Sequence, residues 1–188
     1  MKFRFVEFNK TRDWRGAEAA RVLVTDDDND ESLLWMSKQD IRRSVMLYGP
    51  HIGLMQAAAA YLLTPEQLVR SWQATGDKAF FRPMEPARDR EGLWLHPDWP
   101  DLDEGEDAAC EAWLELIGYE STSDLLADDD RDQSRDVKAR WEAGDNDYLA
   151  WEPEPPAGEG WFLAAVFDTE DGPVATWLRQ KPAAGAAA

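Results

Sequence analysis

Residues 161–180 read WFLAAVFDTEDGPVATWLRQ, two apolar runs joined by EDG. The run 161–168 is almost wholly apolar, which suits a strand covered on both faces, and the EDG break is a hairpin signal. At the other end of the chain, FRFVEF (3–8) alternates apolar and polar residues at the two-residue period of a strand, and ARVLVT (20–25) reads as a second strand. DDDNDE (26–31) follows as a loop.

The middle has helical spacing. Ser37 with Asp40 forms a capping-box pattern ahead of apolar positions Ile41, Val45 and Leu47, and Gly49 supplies a stop. A second helix over roughly 52–63 carries Leu54, Ala58 and Leu62 on one stripe. Thr64, Pro65 and Gln67 open a third, stopped at Gly76. GEDAACEAWLELIG (105–118) is a fourth, and VKARWEAG (137–144) is helical through Val137 and Trp141 to Gly144. YLAW (148–151) reads as strand before the proline-rich PEPPAGEG turn. Strands at both ends with helices between predict an α+β fold: one antiparallel sheet including the N-terminal strand and the C-terminal hairpin, with about five helices between.

Length permits one core, so a single compact domain over 1–182 is expected. Prolines at 83, 86, 97 and 100 mark a possible seam across 80–104, and 183–188 (AAGAAA) read as a disordered tail or an expression scar.

The formal charge of -18 is unevenly spread. Residues 1–90 hold 14 basic and 13 acidic side chains, whereas 91–147 hold 4 basic and 19 acidic, a local net of -15. Such a field repels nucleic acid and anionic membrane and attracts basic surfaces, so direct nucleic-acid or membrane binding is not expected. Cys110 cannot form an intrachain disulfide, which suits a reducing cytosol, and its helical spacing with Trp113 places it in the core. No run approaches the ~20 apolar residues of a membrane span, so a cytoplasmic protein is expected.

Catalytic signatures do not stand out. The aspartate runs lack the glycine and glutamate of a calcium loop, His51 and His96 are isolated, and there is no nucleophile elbow, phosphate loop or dinucleotide fingerprint. No metal or cofactor is expected. A hydrolase with paired carboxylates drawn from distant positions is an alternative, because spacing does not reveal such pairs. Trp14, Trp35, Trp72 and Trp113 read as core; Trp94, Trp99, Trp151 and Trp161 lie near turns, where they pack or line a groove.

What stands out is SDLLADDDRDQSRD (123–136), six aspartates in fourteen positions, with Asp124, Asp128, Asp132 and Asp136 at every fourth residue. On one helix they would trace a winding ridge of charge, partly offset by Arg131, Arg135 and Arg140 at three or four residues' spacing. Two short helices meeting near Asp128 would give capping instead. A second acidic group comprises Asp101, Asp103, Glu104, Glu106 and Asp107.

Duplex DNA carries one negative charge per ~3.4 Å along each strand, so a row of carboxylates can occupy a basic groove built for nucleic acid. In charge and size the chain resembles the acidic inhibitors that phages and mobile elements direct at host restriction or CRISPR systems. The expectation is a non-enzymatic acidic inhibitor in the bacterial cytosol, whose partner is a basic protein or nucleoprotein complex, with the two acidic groups as its face. An immunity or antitoxin protein neutralising a basic nuclease toxin uses the same physics. A chaperone of basic proteins would instead bind many cationic partners loosely.

Overall fold

A computed structural model of the chain describes residues 1–9, 19–76, 79–100, 102 and 105–182. The fold is α+β, with two compact units: Met1–Phe81 with Pro100–Ile117, and Arg82–Trp99 with Gly118–Ala188. Trp14 and the 183–188 segment lie outside the described residues.

In the first unit, β1 (Lys2–Asn9) and β2 (Ala19–Thr25) form where strands were expected, and β3 (Glu31–Met36) completes an antiparallel sheet ordered β1-β2-β3. β3 was hidden because ESLLWM does not alternate: Leu33, Leu34 and Trp35 are all exposed. Trp35 is therefore a surface residue rather than core, with the Arg21 guanidinium 5.2 Å from its ring centroid.

The capping box of α1 (Lys38–Tyr48) is present: Ser37 Oγ accepts from Asp40 N at 3.3 Å and the Asp40 carboxylate accepts from Ser37 N at 2.9 Å. Ile41 and Val45 are buried, but Leu47 is 74% exposed, because only the first two share a helical stripe. α2 (Ile52–Ala60) stops short of the expected residue 63. Tyr61 ends it, its hydroxyl donating to Met36 O at 2.7 Å and accepting from Ala20 N at 3.2 Å, and Leu62 turns out into solvent at φ +57°. α3 (Pro65–Gln73) begins at its proline, but Thr64 makes no side-chain cap bond, so that expected box is not formed. α4 (Asp107–Ile117) buries Cys110, Trp113, Leu114 and Ile117. Burial pushes the Cys110 thiol up to about 11, which makes it a packing residue. Around Phe80, the rings of His51, Phe81 and Trp113 stand edge-on at 4.9–5.2 Å, and His51 is pushed down to about 4 by desolvation.

α2 lies against β1 because its face is built of small residues. A Cβ placed on Gly53 would sit 2.3 Å from Phe3 O. Gly53→Ala is expected to destabilise the first unit by about 1–3 kcal/mol through displaced backbone. The midpoint of its denaturant transition measures this.

The second unit holds an antiparallel sheet ordered β4-β6-β7-β5, from β4 (Trp94–Leu95), β5 (Tyr119–Leu125), β6 (Phe162–Thr169) and β7 (Gly172–Gln180). The hairpin is β6–β7, with Gly172 at φ +109°. The hairpin and the N-terminal strand thus belong to two different sheets rather than one. YLAW is a turn rather than a strand: Trp151 N donates to Tyr148 O at 2.9 Å, and both side chains are buried with Leu126, Val137, Val166 and Ala175. The fifth helix, α5 (Arg135–Glu142), ends near Gly144, φ +88°.

Candidate docking groove

β5 is where the structure departs most from the helical reading of the aspartate row. Tyr119–Leu125 pairs antiparallel with β7, from Tyr119 opposite Gln180 to Leu125 opposite Val174. The chain then makes two single 3-10 turns, Leu126–Asp128 and Asp132–Ser134, before α5. Asp124 is therefore on a strand, Asp128 and Asp132 are in turns, and Asp136 is in the first turn of α5. The fourfold spacing does not produce a helical ridge.

The reason is Asp129. Its carboxylate accepts from the Arg131 backbone N at 3.1 Å, Arg131 Nε at 2.8 Å and Nη2 at 2.5 Å, Ser134 Oγ at 2.6 Å and Trp151 Nε1 at 3.0 Å. Short-range bonds of this kind compete with helical ones, so the Asp128–Asp130 run becomes a turn. The side chain is 7% exposed. The Arg131 guanidinium beside it holds the carboxyl well below the usual carboxylate range, with Ser134 and Trp151 adding to the effect and burial opposing it. Arg131 also reaches Glu152 O at 3.0 Å and Glu154 Oε2 at 3.3 Å, pinning the proline-rich segment.

The basic partners are mostly not those expected from spacing. Arg131 serves Asp129 and Glu154 in place of Asp128, and Arg140 serves Asp145 and Asp147 in place of Asp136. Arg135 does pair with Asp132. Several acids are turn formers: Asp89 Oδ1 accepts from Glu91 N and Leu93 N, Asp145 Oδ1 from Asp147 N, and Asp147 Oδ1 from Leu149 N. Among the described residues, no ion pair engages Asp124, Asp128 or Asp136, and all three are exposed.

These pieces enclose a groove of about 770 Å³ within the second unit. It is lined by Thr122–Leu125 of β5, by Asp128–Arg131 and by Glu154–Ala157. Five carboxylates (Asp124, Asp128, Asp129, Asp130, Glu154) face one guanidinium, Arg131, a formal -4. Since Arg131 and Asp129 are bound to each other, the charge offered outward comes from Asp124, Asp128, Asp130 and Glu154, with Lys138 Nζ 3.4 Å from Asp130.

No family model, curated protein or solved structure matches the chain. The geometry alone must carry the reading.

Of the residues expected from sequence, Asp124 and Asp128 line this groove, while Asp132 and Asp136 are not among its lining residues. Glu106 and Asp107 stand at the start of α4 in the first unit, with Glu106 O accepting from Ala109 N and Cys110 N. Asp101, Asp103 and Glu104 lie outside the described residues. Sequence reasoning missed Glu154, whose signal was faint: an acid between prolines, 23 residues from the arginine that holds it. Of the tryptophans near turns, Trp94 and Trp151 are buried at 8% and 0% and do not line the groove. Among the described residues, no group of three or more His, Cys, Asp or Glu is arranged to hold a metal ion, and no helix is long and apolar enough to cross a membrane.

Proposed function

We propose that the protein is a non-enzymatic acidic inhibitor of the bacterial cytosol that docks on a basic nucleic-acid-binding surface of a host defence complex, of the restriction or CRISPR type. The observation that supports this reading is the open groove in which four outward carboxylates stand on a strand and turns already fixed by internal hydrogen bonds. A preorganised cluster loses little freedom on binding, and opposite potentials accelerate encounter. Residues 118–147 of the same unit hold ten acidic against four basic side chains, a net of -6, which extends the field beyond the contact itself. Nucleic acid and inhibitor then compete for one cationic surface.

The test is competition. Purified protein is titrated into a panel of restriction and CRISPR effector complexes holding fluorescent DNA. One complex is expected to release its DNA near stoichiometric protein, and rising salt should weaken the inhibition because screening reduces attraction between the exposed charges. Release of no DNA across the panel, with neutralisation of a basic nuclease toxin in a parallel assay, would transfer the groove to the immunity reading.

A further inference from the structure

Among the described residues, β5 is the last strand of its sheet, with β7 on one side and no strand on the other. Which of its backbone groups are left over follows from the ladder. Lys181 N donates to Gly118 O at 2.9 Å, one step beyond the pairing of Tyr119 with Gln180. In an antiparallel ladder hydrogen-bonded pairs recur at every second residue. Glu120, Thr122 and Asp124 therefore bond to β7, Ser121 and Ser123 turn their N–H and C=O outward, and Leu125 turns its N–H outward while its C=O opens the 3-10 turn Leu126–Asp128. Ser123 agrees with this alternation: its hydroxyl lies 3.0 Å from that of Thr176, its partner in a non-hydrogen-bonded pair, where side chains come closest.

The groove is lined by four consecutive residues of this edge strand, Thr122 to Leu125, so residues of both its faces border it. Its lining also includes Pro155 and Pro156. Having no N–H, these cannot pair with β5 as a further strand. The lining thus combines an edge strand, carboxylates and a segment unable to add to the sheet.

We propose that the groove takes an extended, Lys/Arg-bearing segment of the partner protein as an added strand on the Ser121–Leu125 edge. Main-chain hydrogen bonds to Ser121, Ser123 and Leu125 set the register, while Asp124, Asp128, Asp130 and Glu154 select cationic side chains; affinity by backbone and specificity by alternate side chains is the division of labour in strand addition. This rests on the docking reading of the same groove and specifies the conformation of what docks. A helical or folded basic surface is the competing occupant.

The probe is a nine-residue peptide of alternating arginine and threonine, compared with the same peptide methylated on every backbone nitrogen, which keeps the charge and removes the donors. Binding is followed by fluorescence anisotropy at low salt, and amide exchange of the intact protein by NMR. Methylation is expected to weaken binding at least about tenfold, and the unmethylated peptide to slow exchange at the Ser121, Ser123 and Leu125 amides by a similar factor. Equal binding of both peptides with unchanged exchange at those amides, but loss of both on Asp124→Lys with Asp128→Lys, overturns strand addition and leaves charge docking standing. Failure of either peptide to bind overturns both, and marks the acids as guards that keep an open edge from pairing with other chains.

Discussion

Asp129→Ala is expected to destabilise the second unit by about 3 kcal/mol, because it leaves Arg131, the Ser134 hydroxyl and the Trp151 indole N–H without their common acceptor in a site shielded from water. In a unit of this size that lowers its melting transition by about 15 °C. Asp130→Ala is the control: its side chain is 96% exposed with one loose partner, Lys138, so the change should stay within about 0.5 kcal/mol. The pH dependence follows from the direction of the shift. A carboxyl whose folded pKa is lowered contributes stability that is present above the unfolded value near 4 and lost as pH falls through the folded value. The gap between wild type and Asp129→Ala in chemical denaturation should thus be widest at neutral pH and shrink as pH is taken from 7 toward 2. A gap that does not change over this range would mean that the carboxylate's charge is not what holds the turn.

Asp124→Lys combined with Asp128→Lys is expected to weaken binding to the complex found by DNA competition about 100-fold, equivalent to ~2.8 kcal/mol, because like charges then face each other across the contact. Both side chains are exposed and neither is in an ion pair, so the substitutions should leave the melting transition in place. Asp132→Lys with Asp136→Lys alters net charge by the same amount outside the groove lining. If the groove is the contact, that second variant loses only the long-range share of the attraction, within about fivefold. Titration calorimetry on both variants separates the two effects, and equal losses would mean that total charge, with no particular site, governs association.

The regular elements were legible where one physical signal dominated. Alternation marked β1, a short β-branched-rich run marked β2, an unbroken apolar run marked β6, and the Ser37/Asp40 pair marked the start of α1. β3 and β5 were not legible, for related reasons. Both lie at sheet edges, so neither needs an apolar face along its whole length: β3 exposes Leu33, Leu34 and Trp35, and β5 carries Glu120, Thr122 and Asp124 on one face and Ser121 and Ser123 between Tyr119 and Leu125 on the other. The aspartate row showed where charge collects but misled about its geometry. Spacing of four is a helical signal only if the backbone is helical, and the bonds gathered by Asp129 decided otherwise. Glu154 became part of the groove through a tertiary contact with Arg131 that no local pattern announces.

Neither compact unit is a continuous stretch of chain, since each takes a segment from both sides of a crossover. During synthesis β4 emerges before α4 and then waits for β6, the strand it pairs with, until residues 162–169 have been made. The first unit likewise stays incomplete until α4 leaves the ribosome. A chain cut near residue 100 lacks α4 and leaves both units short, whereas a single cut after Ile117 keeps every segment of the first unit and leaves β4 without β6, the strand it pairs with. Truncation libraries should consequently give their best-behaved N-terminal fragments only from cuts at or beyond residue 117.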